Sequence, residues 1–510
     1  AAARWARRRV PAAIRARGWY AEALRRTDPA RAVGAIRAGL RILDEHAASL
    51  GATDLRVHSA AHRRDLTALG IRLALRDGRP HRVLEWAERG RATRLGHRPA
   101  RPPADPLLAD LLAQLRGVAF ELADAGAAET ARLVPRQVAL ERRIRDHVRT
   151  HAPRGGTPRW TPVPFDALRA ALGSRTFVAF VESDGVLHRL VLARGRLRVH
   201  AIGRAAPIAD LVRRLPFALH RLARPGDDRR AAATALLTAA AARLDAALLA
   251  GLGDEPLVIS PTGALHSLPL SILPSCAGRP VTVSPSATLW CTAAAAPPPV
   301  VGRPPVRPDP VPRQTRGESA ARVAVVAGPR LPGARVEAER VAAIHGVAAM
   351  GDATVERVLA VFGAVDVLHL AAHGRLSTDN PLFSDLLLAD GPLLVHDLER
   401  LERTPHTVSL AACDSGRAAV YAGDELLGLS ATLAARGTVQ LVAPVLPIPD
   451  LATTAVMVAY HERLAAGAPP AVALAATQHA LRDADPATRV AAAGFNCFGH
   501  GFTAPFSGGP

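Results

Sequence analysis

Two short apolar runs in this chain each stop on a side chain that can take part in acyl chemistry. Val365–Ala372 (VDVLHLAA) ends at His373-Gly374, and Thr407–Ala412 (TVSLAA) ends at Cys413-Asp414-Ser415-Gly416. A cysteine is a strong nucleophile only as its thiolate. A nearby imidazole can take the thiol proton and later hand it to a leaving amine. His373 would be that base and Cys413 that nucleophile. Gly374 leaves the backbone open to a substrate carbonyl. Its N–H, together with that of Cys413, could bind the oxyanion, and losing one such donor typically costs roughly 100- to 1000-fold in rate. Gly416 would let the loop after the nucleophile turn sharply. No acidic third member is evident, and a Cys–His dyad does not require one. Taken singly, each residue has a bland reading. A buried cysteine is usually a small apolar residue, and a histidine at a strand end is usually structural. The pairing carries the argument.

The pairing needs two neighbouring strands. Both runs have the pattern of buried strands. Between them lie a hairpin-like piece, Leu386–Val395, turning at Asp390-Gly391, and a short helical piece, Asp397–Glu402. That connection is long enough to return the chain as a parallel neighbour, which takes a dozen residues or more. Sites in open parallel sheets gather at the carboxyl ends of strands, so His373 and Cys413 are expected on one edge.

The remainder divides by pattern. Residues 1–96 are helical, with Val33, Ile36, Leu40 and Leu43 forming one amphipathic face in Arg31–Ala47. Helical stretches at Asp54–Arg76 and His81–Arg94 flank the turn Asp77-Gly78-Arg79-Pro80. Helix, turn, helix is the unit of tetratricopeptide-type arrays, and an ordinary bundle fits as well. His97–Pro106 reads as a linker, Leu107–Val148 as a helical hairpin, and His151–Pro164 as a boundary loop. Thr176–Glu182, Val186–Ala193 and Arg196–Ala201 form a strand meander. Helices follow at Ala209–Leu222 and Arg229–Ala250, then a strand at Pro256–Ser260. Pro297–Arg316 is a proline-rich loop. Beyond it, strands alternate with helices: a strand at Ala321–Gly328, helices at Val336–His345 and Asp424–Arg436, a strand at Thr438–Pro444, helices at Leu451–Ala465 and Pro470–Arg482, and a last strand near Gly494–Phe498. This alternation predicts a mostly parallel sheet covered on both faces.

Composition removes several function classes. The formal charge is +19 across 510 residues, yet there is no lysine, so all 64 basic residues are arginine. Aromatics make up 4%, and no dense basic cluster is interleaved with them, so direct nucleic-acid binding is not expected. The four cysteines, at 276, 291, 413 and 497, have no CxxC spacing. No thiolate zinc site and no cofactor is expected, and a reducing, cytoplasmic setting fits. The alanine-rich Ala231–Leu252 is broken by Arg243 and Asp245, so no membrane span is expected. There is no phosphate-binding GxxxxGK[ST] loop.

HLAAHG and AACDSG together resemble the motifs of the caspase-like clan of cysteine peptidases, and specifically the CHAT family, often joined to tetratricopeptide repeats. NPLFSDLLLADGPL (Asn380–Leu393), GDELLGLSATLAARG (Gly423–Gly437), PLVISPTGALHSLPLSILP (Pro256–Pro274) and AVALAATQHALR are similar to further segments of that family. The resemblance covers Phe165 to Phe502. It implies an α/β caspase-like sandwich, a mostly parallel sheet flanked by helices, preceded by an all-α region. Residues 165–300 would be a degenerate half, and 317–505 the active half. The family's tryptophan after the cysteine strand is absent from APVLPIPD (Ala443–Asp450). The implied function is a regulated cysteine endopeptidase with a protein substrate, switched on by a protein partner at the N-terminal helices, in bacterial defence or signalling. A non-catalytic interaction scaffold on the same fold is the alternative.

Other residues invite smaller readings. Asp414 would line a substrate pocket suited to a basic residue, or hydrogen-bond its own turn. Asp379, Asp385 and Asp424 are similar. Asp450 is expected as a helix N-cap. His266 and His369 are expected to be structural. Cys497 and His500 form a second Cys–His pair whose spacing argues against convergence.

Overall fold

The computed structural model describes residues 10–50, 52–53, 55, 61–91, 105–123, 125–151, 161–224, 230–297, 321–377, 379–413, 415–421 and 425–506. The linker His97–Pro106 and the loops His151–Pro164 and Pro297–Arg316 fall largely outside these residues. Helices Ala12–Arg25 and Pro29–Ser49 form one hairpin, Arg64–Arg76 and Pro80–Gly90 a second, and Pro106–Ala123 and Ala127–His151 a third.

The strands of the first half are β1 (Thr176–Ser183), β2 (Val186–Ala193), β3 (Arg196–Arg204), β4 (Leu257–Ser260) and β5 (Val281–Val283). Those of the second are β6 (Val323–Ala327), β7 (Ala349–Met350), β8 (Val367–Ala371), β9 (Gly374–Arg375), β10 (Asp385–Leu388), β11 (Gly391–Leu394), β12 (Thr407–Ala411), β13 (Ala419–Tyr421), β14 (Glu425–Leu427), β15 (Gln440–Pro444) and β16 (Phe495–Gly499). Eleven of them form one sheet in the order β3-β2-β1-β4-β5-β16-β15-β12-β8-β6-β7. β15, β12, β8, β6 and β7 run parallel to one another, and so do β1, β4, β5 and β16. The two sets meet at one antiparallel ladder, β15 against β16. The carboxyl ends of the two sets therefore face opposite edges of the sheet.

Side chains alternate across a strand, and here both faces are buried. Val323, Val325, Val367 and Ala371 pack with Ala338 and Val341 of helix Pro332–His345 and with Val456 and Leu464 of helix Asp450–Ala465. Ala324, Val326, Leu368 and Leu370 point the other way, onto Val358 and Phe362 of helix Val355–Ala364 and Leu433 of helix Leu429–Arg436. That two-sided burial is why β6, β8 and β12 read as unbroken apolar runs. Each fully buried aliphatic side chain contributes about 1.5–3 kcal/mol.

In the first half, Val178 and Phe180 of β1 face helices Ala205–Ala223 and Arg230–Leu248. Phe177, Ala179 and Val181 face the N-terminal hairpins, sharing a core with Ile36, Leu66, Val83 and Trp86. The N-terminal helices are thus one covering layer of the sheet. Among the described residues one helix, Arg230–Leu248, has the length and composition to cross a membrane, and its Ala240, Leu244 and Leu248 lie in the core with Val178 and Phe180 on the other face of β1.

Some element boundaries differ from expectation. The helix expected over Asp424–Arg436 runs Leu429–Arg436, because Glu425–Leu427 pairs with Ala419–Tyr421 as a hairpin instead. The helical piece expected at Asp397–Glu402 runs Val395–Leu398, with Asp397 accepting the Leu394 N–H at 3.0 Å. Helix Pro486–Gly494 was not anticipated. It starts on Asp485, whose carboxylate accepts from Ala487 N at 3.0 Å and Thr488 N at 3.1 Å, with proline in the first position.

One buried carboxylate fastens the N-terminal layer. Glu88 is 1% exposed. It accepts hydrogen bonds from Ala287 N (3.0 Å), Thr288 N (2.8 Å) and the Thr288 hydroxyl (2.6 Å). These are otherwise orphan donors at the start of helix Ala287–Ala294, where the helix dipole also favours an anion. Glu88→Ala leaves them buried and unpaired, and the expected loss is about 3 kcal/mol of stability, read from the shift in denaturant midpoint.

Candidate active site

β8 and β12 are parallel neighbours, with Ala371 opposite Ala411. His373 and Cys413 each lie two residues beyond that pair, so they leave the same sheet edge at matching positions. The backbones stay close past the strand ends. A Cβ added to Gly374 would sit 2.5 Å from the Cys413 carbonyl oxygen and 3.2 Å from Ala412 Cβ. Only glycine fits there. On its other side, Leu387 N–H donates to the His373 carbonyl at 2.9 Å, and Gly374 pairs with Leu386 of β10. The hairpin predicted at Leu386–Val395 thus holds the histidine segment against the cysteine strand.

The His373 ring is exposed, with Nε2 3.3 Å from the Arg330 carbonyl oxygen. A carbonyl only accepts, so this contact assigns the proton to Nε2 and leaves Nδ1 with its lone pair in the neutral ring. Arg330 itself has φ +59, a left-handed conformation uncommon in non-glycine residues. Such outliers cluster where a backbone group must be aimed. Cys413 is half-buried, and its thiol donates to the Ile448 carbonyl at 3.6 Å. Neither carbonyl was anticipated, because a backbone acceptor carries no residue-type signal.

Several smaller expectations change. Asp450 is not an N-cap: it is the first residue of its own helix, and Pro449 occupies the cap. Its carboxylate instead accepts Gly333 N–H, at 2.9 Å, in the first turn of helix Pro332–His345. Gly416 has no left-handed φ. A Cβ there would meet Pro444 O at 2.9 Å and Ala443 O at 3.0 Å, so close approach to β15 is what requires glycine. Asp385 is buried and bound to Arg375, with Nε at 2.9 Å and a guanidinium nitrogen at 2.8 Å, which commits it to the β9–β10 ladder. Burial pushes its carboxyl up, and Arg375 offsets this. Asp379 is exposed. Asp414 and Asp424 lie outside the described residues.

His266 follows β4, and so leaves the opposite sheet edge. It lines a cavity of about 360 Å³ between the two halves, shared with Leu289, Ser430 and Phe498. His369 is fully buried within β8. Cys497 is buried, and desolvation pushes its thiol up to about 12. His500 is pushed down to about 4, chiefly by burial, and its ring lies 5.3 Å from that of Trp290. A thiol and an imidazole held neutral in this way form no ion pair at neutral pH. Among the described residues no group of three or more His, Cys, Asp or Glu side chains is arranged to hold a metal ion.

The other thiols sharpen the contrast. Burial raises Cys276 and Cys291 to about 12 as well. A raised thiol pKa means less thiolate at a given pH, so at pH 7–8 these three should resist alkylation. Timed iodoacetamide labelling with peptide mapping should find Cys413 modified first, and first labelling at any other cysteine would contradict this geometry.

A family model for the CHAT domain matches residues 230–500. No curated protein matches the sequence. Among solved structures, the chain is similar to the Saccharomyces cerevisiae separase–securin complex, at 7% identity and TM-score 0.49, covering 96% of this chain and 40% of that one. It is also similar to the Arg-specific cysteine proteinase gingipain R, at 11% identity and TM-score 0.29, covering 36% of this chain and 46% of that one. A third similar structure is the complex of Porphyromonas gingivalis RgpB pro- and mature domains, at 8% identity and TM-score 0.33, covering 59% of this chain and 77% of that one. The chain spans 40% of the length of the separase structure it matches. With the family match running over more than half of the sequence, the chain belongs to the CHAT domain family.

Proposed function

We propose that this chain is a regulated cysteine endopeptidase that cuts a specific protein, with His373 as general base and Cys413 as nucleophile. The observation that carries the reading is the matched exit of these two residues from paired strands, with Gly374 against the Cys413 backbone. The Cys413 thiol proton passes to His373 Nδ1, the nitrogen left free by the Arg330 contact. The thiolate attacks the scissile carbonyl carbon. The oxygen takes up negative charge and accepts from the N–H groups of Gly374 and Cys413. As the tetrahedral intermediate collapses, the C–N bond breaks and His373 returns the proton to the leaving amine. Water, deprotonated by His373, then attacks the thioester, and Cys413 leaves with its proton restored. Asp414 is the acid we assign to a basic residue before the cut bond.

The resting contacts favour regulation. The Cys413 proton is engaged by the Ile448 carbonyl, and activation would move it to His373. The third helical hairpin touches this machinery at two points. Phe120 lies under the Arg330 guanidinium, 5.8 Å away. Arg116 pairs with Asp397 at 3.2 Å, beside the β10–β11 hairpin that holds His373. A protein partner engaging the N-terminal helices would have these contacts as its route to the site. The setting we assign is the cytoplasm, in bacterial defence or signalling.

Co-expression with the products of adjacent genes, read by intact mass, tests this. A discrete fragment should form with wild type. It should fall below about one-thousandth with Cys413→Ala or His373→Ala, since members of a catalytic unit are lost together. Undiminished cutting by the Cys413→Ala variant would remove the assignment, and no fragment with any candidate and any partner would favour the scaffold reading.

A further inference from the structure

Behind the sheet edge lies a polar chain that the acyl chemistry does not use. Glu337 Oε1 is 3.1 Å from His369 Nε2, His369 Nδ1 is 3.1 Å from His461 Nε2, and His461 Nδ1 is 2.9 Å from His345 Nε2. The four residues are 1%, 0%, 0% and 6% exposed. Four titratable side chains in an otherwise apolar layer are costly to bury, and they are tolerated when every donor finds an acceptor.

Proton counting shows what the chain does. A neutral imidazole has one N–H and one lone pair. If Glu337 is a carboxylate it only accepts. His369 Nε2 then carries the proton, and His369 Nδ1 accepts from His461 Nε2–H. His461 Nδ1 in turn accepts from His345 Nε2–H. All three bonds are satisfied with every ring in the same tautomer and one net negative charge. Adding one proton to the Glu337–His369 pair makes His369 Nδ1 a donor. The two bonds beyond it must then reverse, and all three are again satisfied, with no net charge. The chain has two complete hydrogen-bonded states one proton apart. Burial favours the uncharged one: it pushes Glu337 up, with His369 opposing and Asp450 reinforcing the shift. Burial likewise holds His461 neutral, pushing it well down, with His369 and His345 adding to this.

The chain bridges the three elements that set the dyad. His369 sits in β8, four residues before His373. Glu337 and His345 belong to helix Pro332–His345, which follows Arg330, the residue whose carbonyl orients His373. His461 belongs to helix Asp450–Ala465, which follows Ile448, the residue whose carbonyl holds the Cys413 thiol. Those two helices are also clamped at their starts, where Gly333 N–H donates to Asp450 at 2.9 Å. A Cβ on Gly333 would lie 2.5 Å from an Asp450 oxygen, so the clamp has no slack. Charge on Glu337 repels Asp450 and opposes the clamp, and its neutralisation removes that repulsion. Among the described residues, other titratable groups facing the chain include Tyr460, beside His461 at 5.1 Å between rings, and Cys497, which faces Tyr460 from β16. Both stay neutral: burial raises the tyrosine far above its ordinary value and the thiol to about 12.

We propose that Glu337, His369, His461 and His345 form a one-proton relay of positioning residues that sets the alignment of His373 and Cys413 according to the direction of its hydrogen bonds. This rests on the reading of His373 and Cys413 as the reacting pair. In the relay, Glu337 and the three histidines touch no substrate. They act through the Arg330 and Ile448 carbonyls.

The test uses the full chain with nitrogen-15-labelled histidine. In wild type, the ring nitrogens of His369, His461 and His345 should exchange tautomers together at a single pH. Independent titration, or no change across the stable range, overturns the relay, and this needs no variant to fold. Glu337→Gln keeps size and hydrogen bonding but cannot ionise, so the collective exchange should disappear. Iodoacetamide alkylation of Cys413 across pH supplies the link to the site. Wild type should show one inflection beyond that of the thiol itself, and Glu337→Gln should lose it while keeping the thiol's own. Superimposable profiles for wild type and Glu337→Gln, with His373→Ala different from both, overturn the relay and leave the dyad standing. An unchanged profile in His373→Ala overturns the dyad, and with it the claim that the relay positions it, even where the nitrogens switch together.

Discussion

The register of β8 against β12 is the constraint on which the rest depends. Because Ala371 faces Ala411, the two residues after each strand emerge side by side. A slip of one residue would turn every side chain of one strand to the other face. His369 would then leave its buried chain, and His373 would no longer match Cys413. The register is fixed by burial on both faces. Val367 and Ala371 are committed to one helical layer, Leu368 and Leu370 to the other. The glycine after the histidine then lets the two backbones stay in contact beyond the sheet.

The two halves share one sheet but point opposite ways. The antiparallel ladder between β15 and β16 sends the strand ends of the first half to the far edge. The carboxyl ends of its strands thus lie away from His373 and Cys413, while Leu219 and Leu222 of its helix Ala205–Ala223 pack with Leu446 and Ile448. The N-terminal helices are built into the same body. The first two hairpins cover one face of β1 and β2, fastened by Glu88. The third lies against the β10–β11 hairpin through Arg116 and Asp397.

Much of this was legible in the sequence, for reasons that can be named. Doubly buried strands announce themselves as apolar runs, so β6, β8, β12 and β15 were found nearly to the residue. The meander of β1 to β3 was marked by its Asp-Gly and Arg-Gly turns. His373, Gly374 and Cys413 stood out because reactive types beside glycine at strand ends are a local pattern. What escaped was non-local. Backbone carbonyls of Arg330 and Ile448 have no sequence signature. Asp450 looks like a cap for its own helix, and it takes a partnership across the fold to see that it caps another. His345, His369 and His461 are far apart in the chain, and only packing makes them neighbours. The hairpin of Ala419–Tyr421 and Glu425–Leu427 was hidden inside a segment whose alanines and leucines favour helix.

The central claim is geometric: residues 373 and 413 leave neighbouring strands at matching positions because those strands are in register. It is tested most directly by His373→Cys under mild oxidation, followed by peptide mass mapping. A disulfide requires Cα atoms about 4.4–6.8 Å apart, so the account predicts a cross-link between positions 373 and 413, with Cys276, Cys291 and Cys497 left reduced. Persistent free thiols at both positions, in a folded variant, would contradict it.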